Sequence, residues 1–104
     1  MRRLVYSNEA MRDLVAIADY IDDLSGNIET GLRVTQRLRG YCLKLAGSPL
    51  MQGRSRPDLG EGLRSVPRES YVIVFKCTSA RLDVVNIIHS ARDIEAMFQD
   101  KGED

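Results

Sequence analysis

The sequence predicts an α+β domain in the order β-α-α-β-β-β-α, with an N-terminal helical hairpin packed on an antiparallel sheet and a short C-terminal helix. Three observations predict it. Apolar side chains recur at three- and four-residue spacing up to Leu45, the signature of helices that bury one face. From Leu63 onward the period changes to two, as strands require. Between these regions Gly47 to Gly62 is rich in Gly, Pro and Arg and shows no period, so it reads as a loop. At 104 residues the chain makes one domain, 1–104, around a single core.

Each element follows from local chemistry. Arg3 to Tyr6 alternates enough for a short strand, and Ser7 is a helix N-cap with Glu9 placed favourably in the first turn. Met11, Leu14, Val15, Ile17, Ala18, Ile21 and Leu24 then form one broad apolar face, ending near Ser25-Gly26, while Arg12, Asp13, Asp19, Asp22 and Asp23 mostly take the other. A second helix starts at Asn27 and carries Ile28, Leu32, Thr35, Leu38, Cys42 and Leu45 until Gly47-Ser48-Pro49 stops it. Two helices joined this tightly form an antiparallel hairpin. Strands are then expected over Leu63–Val66, Tyr71–Cys77 and Leu82–His89, with Pro67-Arg68-Glu69-Ser70 and Thr78-Ser79-Ala80 as turns. The last two are apolar on both faces, so both faces of the sheet need cover. The hairpin covers one, and Ile94, Met97 and Phe98 in the segment Arg92–Phe98 are expected to cover part of the other.

Composition narrows the function classes. With 43% hydrophobic and 29% charged residues, the chain is neither a disordered tail nor a disulfide scaffold. No apolar run nears the ~18 residues of a membrane span, and the start Met1-Arg2-Arg3-Leu4-Val5-Tyr6 lacks a signal-peptide core, so no membrane association and a cytoplasmic location are expected. Cys42 and Cys77 are expected as free thiols. One His and two distant Cys cannot assemble a zinc site, and neither metal nor cofactor is expected.

Net charge is zero but unevenly spread. Residues 1–29 carry −3; residues 30–80 hold nine cations against three acids, +6; residues 81–104 carry −3. Twelve of the fifteen cations are Arg, the side chain suited to bidentate carboxylate and phosphate contacts. The cationic middle is either a basic face for an acidic partner or a set of solvated, intramolecularly paired charges.

Catalytic motifs are scarce. Gly60-Glu61-Gly62 has no following helix, and Asp19, Asp22 and Asp23 read as a solvated helix face. His89, at a strand end, is the sole imidazole and a possible remnant general base, while Ser90 fits better as a cap of the last helix.

Three stretches carry a resemblance: Gly53-Arg54-Ser55-Arg56-Pro57-Asp58-Leu59-Gly60-Glu61-Gly62-Leu63-Arg64-Ser65, Tyr71-Val72-Ile73-Val74-Phe75, and Ile87-Ile88-His89-Ser90-Ala91-Arg92-Asp93-Ile94. In this order, after a helical hairpin, they closely resemble ParE toxins of bacterial type II toxin–antitoxin modules, within the wider RelE/ParE superfamily. The resemblance spans essentially the whole chain. It implies a small growth-arresting toxin of the plasmid-stabilization kind, neutralised by a ParD-like ribbon-helix-helix antitoxin in a hetero-oligomer and acting by inhibiting DNA gyrase. No sequence-specific DNA binding by this chain itself is expected.

The superfamily also contains ribosome-dependent messenger-RNA endonucleases similar to RelE. Those place an Arg directly after a Tyr like Tyr71, lysines on the preceding strand, and usually a Tyr or His near the C-terminus. Here Val72 follows Tyr71, Leu63 and Ser65 flank Arg64, and the expected last helix has Met97 and Phe98, which carry no hydroxyl or imidazole. The set needed to activate a ribose hydroxyl and neutralise a phosphate is incomplete, so no catalytic residue and no ribonuclease activity are expected. An inactivated toxin that only binds antitoxin is the third reading. Poisoning an enzyme needs a surface rather than a triad, so Arg64, Arg68, Arg81 and Arg92 are the candidate target contacts, gathered by the sheet at one basic edge. Arg33, Arg37, Arg39 and Leu38 are the candidate antitoxin contacts, cations for carboxylates beside an apolar helix face.

Overall fold

The computed structural model describes residues 1–89 of the chain. Strand β1 (Arg3–Tyr6) leads into helices α1 (Asn8–Ser25) and α2 (Ile28–Gly47), followed by strands β2 (Arg54–Ser55), β3 (Arg64–Arg68), β4 (Tyr71–Cys77) and β5 (Arg81–Ile88). The expected terminal helix Arg92–Phe98, with Arg92, lies outside the described residues. No described helix is long and apolar enough to cross a membrane.

The caps act as their chemistry dictates. Ser7 Oγ accepts from the Ala10 amide, and Gly26, at φ 69° in the left-handed region, closes α1 by donating its N–H to the Asp22 carbonyl. Asn27 caps α2 by accepting from the Glu29 amide. The hairpin is tight at Gly31, where an added Cβ would run into the Ala18 carbonyl and the Asp22 carboxylate. Asp22 is therefore no solvated charge; it accepts from the Gly31 amide at 2.9 Å and ties α1 to α2.

The strands form one sheet in the order β1-β5-β4-β3-β2. Its β3-β4-β5 meander is antiparallel as expected, but β1 joins β5 in parallel, Arg3 beside Arg81 and Tyr6 beside Val84, so the sheet is mixed. Alternation marks a strand without fixing its direction; here α1 returns over β5 and seats β1 against that strand's open edge. β2 lies inside the presumed loop, pairing Arg54 with Ser65 and Ser55 with Arg64. Two residues carry no readable period. Pro67 and Arg68 belong to β3, and the turn is only Glu69-Ser70, with Glu69 at φ 57°. Proline is tolerated there because β2 pairs no farther than Ser65 and leaves β3 an edge strand beyond it.

Two apolar clusters flank the sheet, which accounts for strands apolar on both faces. Ala10, Leu14 and Ile17 of α1 and Leu38, Cys42, Leu45 and Ala46 of α2 pack on Val66, Tyr71, Ile73, Phe75, Leu82, Val84 and Ile87. Val72, Val74 and Ile88 face the other way, against Leu63 and Leu59 of the preceding loop. The buried stripe of α1 is narrower than its apolar face. Met11, Val15 and Leu24 are 40%, 60% and 70% exposed, and Ile28 and Leu32 of α2 are 79% and 56% exposed. A sheet takes only the residues directly beneath a helix, so neighbours one position away remain in water.

A bulge at Val74/Phe75 leaves Val85 without a partner on β4. Its carbonyl receives the Ser7 hydroxyl at 2.7 Å. Asp13 Oδ2 accepts from the Ile87 amide at 2.9 Å and from Asn86 Nδ2 at 3.1 Å, with Asn86 fully buried. Asp13 thus clamps α1 to β5 rather than belonging to a solvated face.

Candidate functional site

The α2 cations sit where one turn of helix after another presents them. Arg33 and Arg39 are exposed, the latter with its guanidinium carbon 5.4 Å from the centre of the Tyr6 ring. Arg37 makes a bidentate pair with Glu69, Nη2 to Oε1 at 2.9 Å and Nε to Oε2 at 3.1 Å. Hydrogen bonding from Arg37 holds the Glu69 carboxyl below the usual carboxylate range. The same pair fixes the β3–β4 turn, whose left-handed Glu69 backbone is costly for any residue with a Cβ. Leu38 is a correction to the expected antitoxin set. It is fully buried in the main cluster and presents nothing to a partner.

Among the described residues the presumed basic edge does not assemble. Arg68 and Arg81 lie toward opposite ends of the sheet: Arg68 pairs with Tyr71, whose neighbour Val72 faces Ile88, seven residues up β5 from Arg81. At ~3.3 Å per residue that is ~23 Å along the strands. Arg81 is neutralised by Asp83, Nη2 to Oδ1 at 2.6 Å. Arg68 donates to the Pro67 carbonyl and lies 5.8 Å from the Tyr41 ring centre. Arg64 is half-buried and tied down, Nε to the Gln52 carbonyl at 3.0 Å and Nη2 to the Gly53 carbonyl at 2.8 Å. It anchors the loop before β2. Arg56, which sequence reasoning left aside, is buried between Asp58 at 2.9 Å and the Ser65 hydroxyl at 3.3 Å, and it shapes the Gly- and Arg-rich loop.

His89 is exposed at the end of β5 and forms two edge-to-face ring contacts, at 5.4 Å with Tyr71 and 6.4 Å with Tyr20. Together with Ala16 and Ile17 these rings line an apolar cleft of about 280 Å³. Burial, then the Glu69 charge, then Tyr20, raises the Tyr71 hydroxyl above its ordinary pKa. Tyr20 was missed because it follows no motif; its position three residues after the buried Ile17, on the flank toward β5, was the available signal. Among the described residues the lining includes an imidazole and two phenols but no guanidinium or ammonium to neutralise a phosphate. Among the described residues no group of three or more His, Cys, Asp or Glu side chains is placed to hold a metal ion.

A family profile for the ParE toxin of the type II toxin–antitoxin system parDE matches residues 4–94. The chain belongs to the ParE toxin family. Its fold agrees with a solved chain of the chromosomal ParDE toxin–antitoxin system from P. aeruginosa, at TM-score 0.71 and 25% identity over 86% of this chain and 97% of that one. No curated protein matches it. The ParE match takes in β1 from Leu4, both helices and all later described strands, so the mixed sheet and the helical hairpin both fall within the family region.

Proposed function

We propose that this ParE-family toxin is neutralised by a ParD-like ribbon-helix-helix antitoxin and, when released, arrests growth in the cytoplasm by inhibiting DNA gyrase without chemistry of its own. The antitoxin segment is acidic and amphipathic and folds on binding. The observation that carries this reading is the juxtaposition on α2 of exposed Arg33 and Arg39 with exposed Ile28, Leu32 and Leu43. Cations beside apolar side chains suit a helix bearing carboxylates on one flank and aliphatic groups on the other. Non-catalytic action is supported by the aromatic cleft, whose lining among the described residues holds no guanidinium or ammonium, and by Val72 in place of the nuclease arginine. For gyrase the contacts to test are Arg68, Arg81 and Arg92, with Arg64 set apart because it holds the fold.

The test is inducible expression with and without the product of the neighbouring reading frame, followed by DNA-break mapping with purified gyrase and toeprinting on translating ribosomes. Growth arrest relieved by the neighbour, with gyrase-dependent breaks and no A-site cleavage, is the expected result. Cleavage within the A-site codon that disappears in His89→Ala would overturn the reading and make His89 catalytic. Arrest with neither breaks nor cleavage would remove gyrase as the target.

A further inference from the structure

We propose that the solvent-facing side of the α1–α2 hairpin is self-complementary and that a second copy of this chain docks on it, closing two hairpins into a four-helix bundle. The surface has an apolar middle. Met11 and Val15 lie four residues apart on the stripe that continues to Ala18, where α1 touches α2 at Gly31. Ile28 and Leu32 flank the same seam from α2, on either side of the Gly31 contact, Leu32 being 56% exposed. A depression of about 360 Å³ lined by Met11, Arg12, Val15, Ala16 and Asp19 opens beside it.

Charge decides what fills this surface. On the exposed side α1 carries Asp19 and Asp23 against Arg12, whereas α2 carries Arg33, Arg39 and Lys44 against Glu29; Asp13, Asp22 and Arg37 are engaged within the fold. One helix is acidic and its neighbour basic. Asp19, Asp23 and Arg33 form no ion pair among the described residues. A two-fold axis running along the helices sets α1 of each copy antiparallel to α2 of the other, acid against base on both sides of the seam. An axis across the helices would stack α1 on α1 and acids on acids. Electrostatics selects the first arrangement. Rotation about that axis preserves height, and Asp19 and Arg33 stand within about one helical turn of each other, measured from the Ala18–Gly31 contact. Asp19 of each copy therefore meets Arg33 of the other.

The size is sufficient. Helices of 18 and 20 residues are ~27 and ~30 Å long, and two packed side by side span ~20 Å, which gives ~540 Å² of projected face per copy. Two such faces reach the ~1,000 Å² that separates stable interfaces from incidental contacts. The inference concerns the chain free of antitoxin and does not rest on the gyrase reading; the second copy and the proposed antitoxin helix share Arg33, Ile28 and Leu32 and therefore exclude each other.

The test uses the full chain, made in a cell-free system and examined by sedimentation equilibrium at about 100 μM. The parent should sediment at twice its 11.7 kDa mass. Asp19→Lys with Asp23→Lys makes α1 basic, and Arg33→Glu with Gln36→Glu makes α2 acidic; each double variant should dimerise on the order of tenfold more weakly. An equimolar mixture of the two should recover the parent's affinity as a heterodimer, because every reversed charge then meets its opposite. Far-UV circular dichroism confirms that each variant is folded. A monomeric parent, variants that dimerise as the parent does, or a mixture that fails to pair would each overturn the proposal.

Discussion

Arg64→Glu tests whether the cation before the β3–β4 hairpin is a target contact or a structural anchor. Its guanidinium donates to two carbonyls, Gln52 in a part-buried bond and Gly53 in an exposed one. A charge-assisted bond contributes ~1–2 kcal/mol when part-buried and ~0.5–1 when solvated, so ~1.5–3 kcal/mol is lost on reversal. For a domain of this size each kcal/mol moves Tm by ~4–8 °C, which places the variant about 6–24 °C below the parent. Arg64→Lys retains one donor and should lose about half as much. Arg33→Glu on the exposed face of α2 should stay within about 0.5 kcal/mol of the parent. Urea melts with matched m-values measure all three. If Arg64→Glu unfolds within 0.5 kcal/mol of the parent on that scale, water replaces the guanidinium without loss and the anchoring argument fails. If it behaves as expected, loss of toxicity in this variant says nothing about the target until stability has been restored.

The Arg37–Glu69 pair should make stability fall with acid. Glu69 has its folded pKa depressed, chiefly by the Arg37 hydrogen bond, so the pair contributes above the ordinary carboxylate range of ~4.3 and is lost as pH falls through the lower folded value. The Tm gap between parent and Glu69→Gln should therefore be present at pH 7 and close in strong acid; a gap that persists there would assign the effect to the turn instead. Burial pushes the Cys42 thiol up to about 11. A thiol-reactive dye at pH 8 should modify the part-exposed Cys77 first and Cys42 only on unfolding, and equal rates would contradict the packing of α2. Asp13→Ala should orphan the Ile87 amide at ~1–3 kcal/mol and leave Asn86 Nδ2 only its longer bond to Glu9, read from the same urea melts, and a neutral result would mean that water replaces the clamp.

Periodicity made most of the fold legible. Ser7, Gly26, Asn27 and Gly47 mark helix ends through chemistry that acts within four residues, and such signals survive any tertiary arrangement. The direction of β1, the two-residue β2 and the extension of β3 through Pro67 depend on which strand lies alongside, and no local pattern encodes that. The candidate site was less legible for the same reason. Arg64, Arg68 and Arg81 are equally cationic in the sequence, yet a backbone carbonyl pair, a tyrosine ring and Asp83 give them different fates. Leu38 and Leu32 likewise share a helix and a side chain; an angle of rotation about the axis sends one to the core and the other to water.

The union of β1 with β5 has a consequence for how the molecule comes into being. Ser7 waits for Val85 and Asp13 for the Ile87 amide, partners 78 and 74 residues farther along the chain. Such separations raise contact order and slow folding, because the loop must close before its contacts are gained. At ~5–20 residues per second, ribosomal synthesis leaves the hairpin, finished at Gly47, without its main strand until Ile88, for roughly 2–8 s. During that interval Leu14, Ile17, Leu38 and Leu45 have no sheet to cover them, and the chain cannot complete its core until β5 emerges.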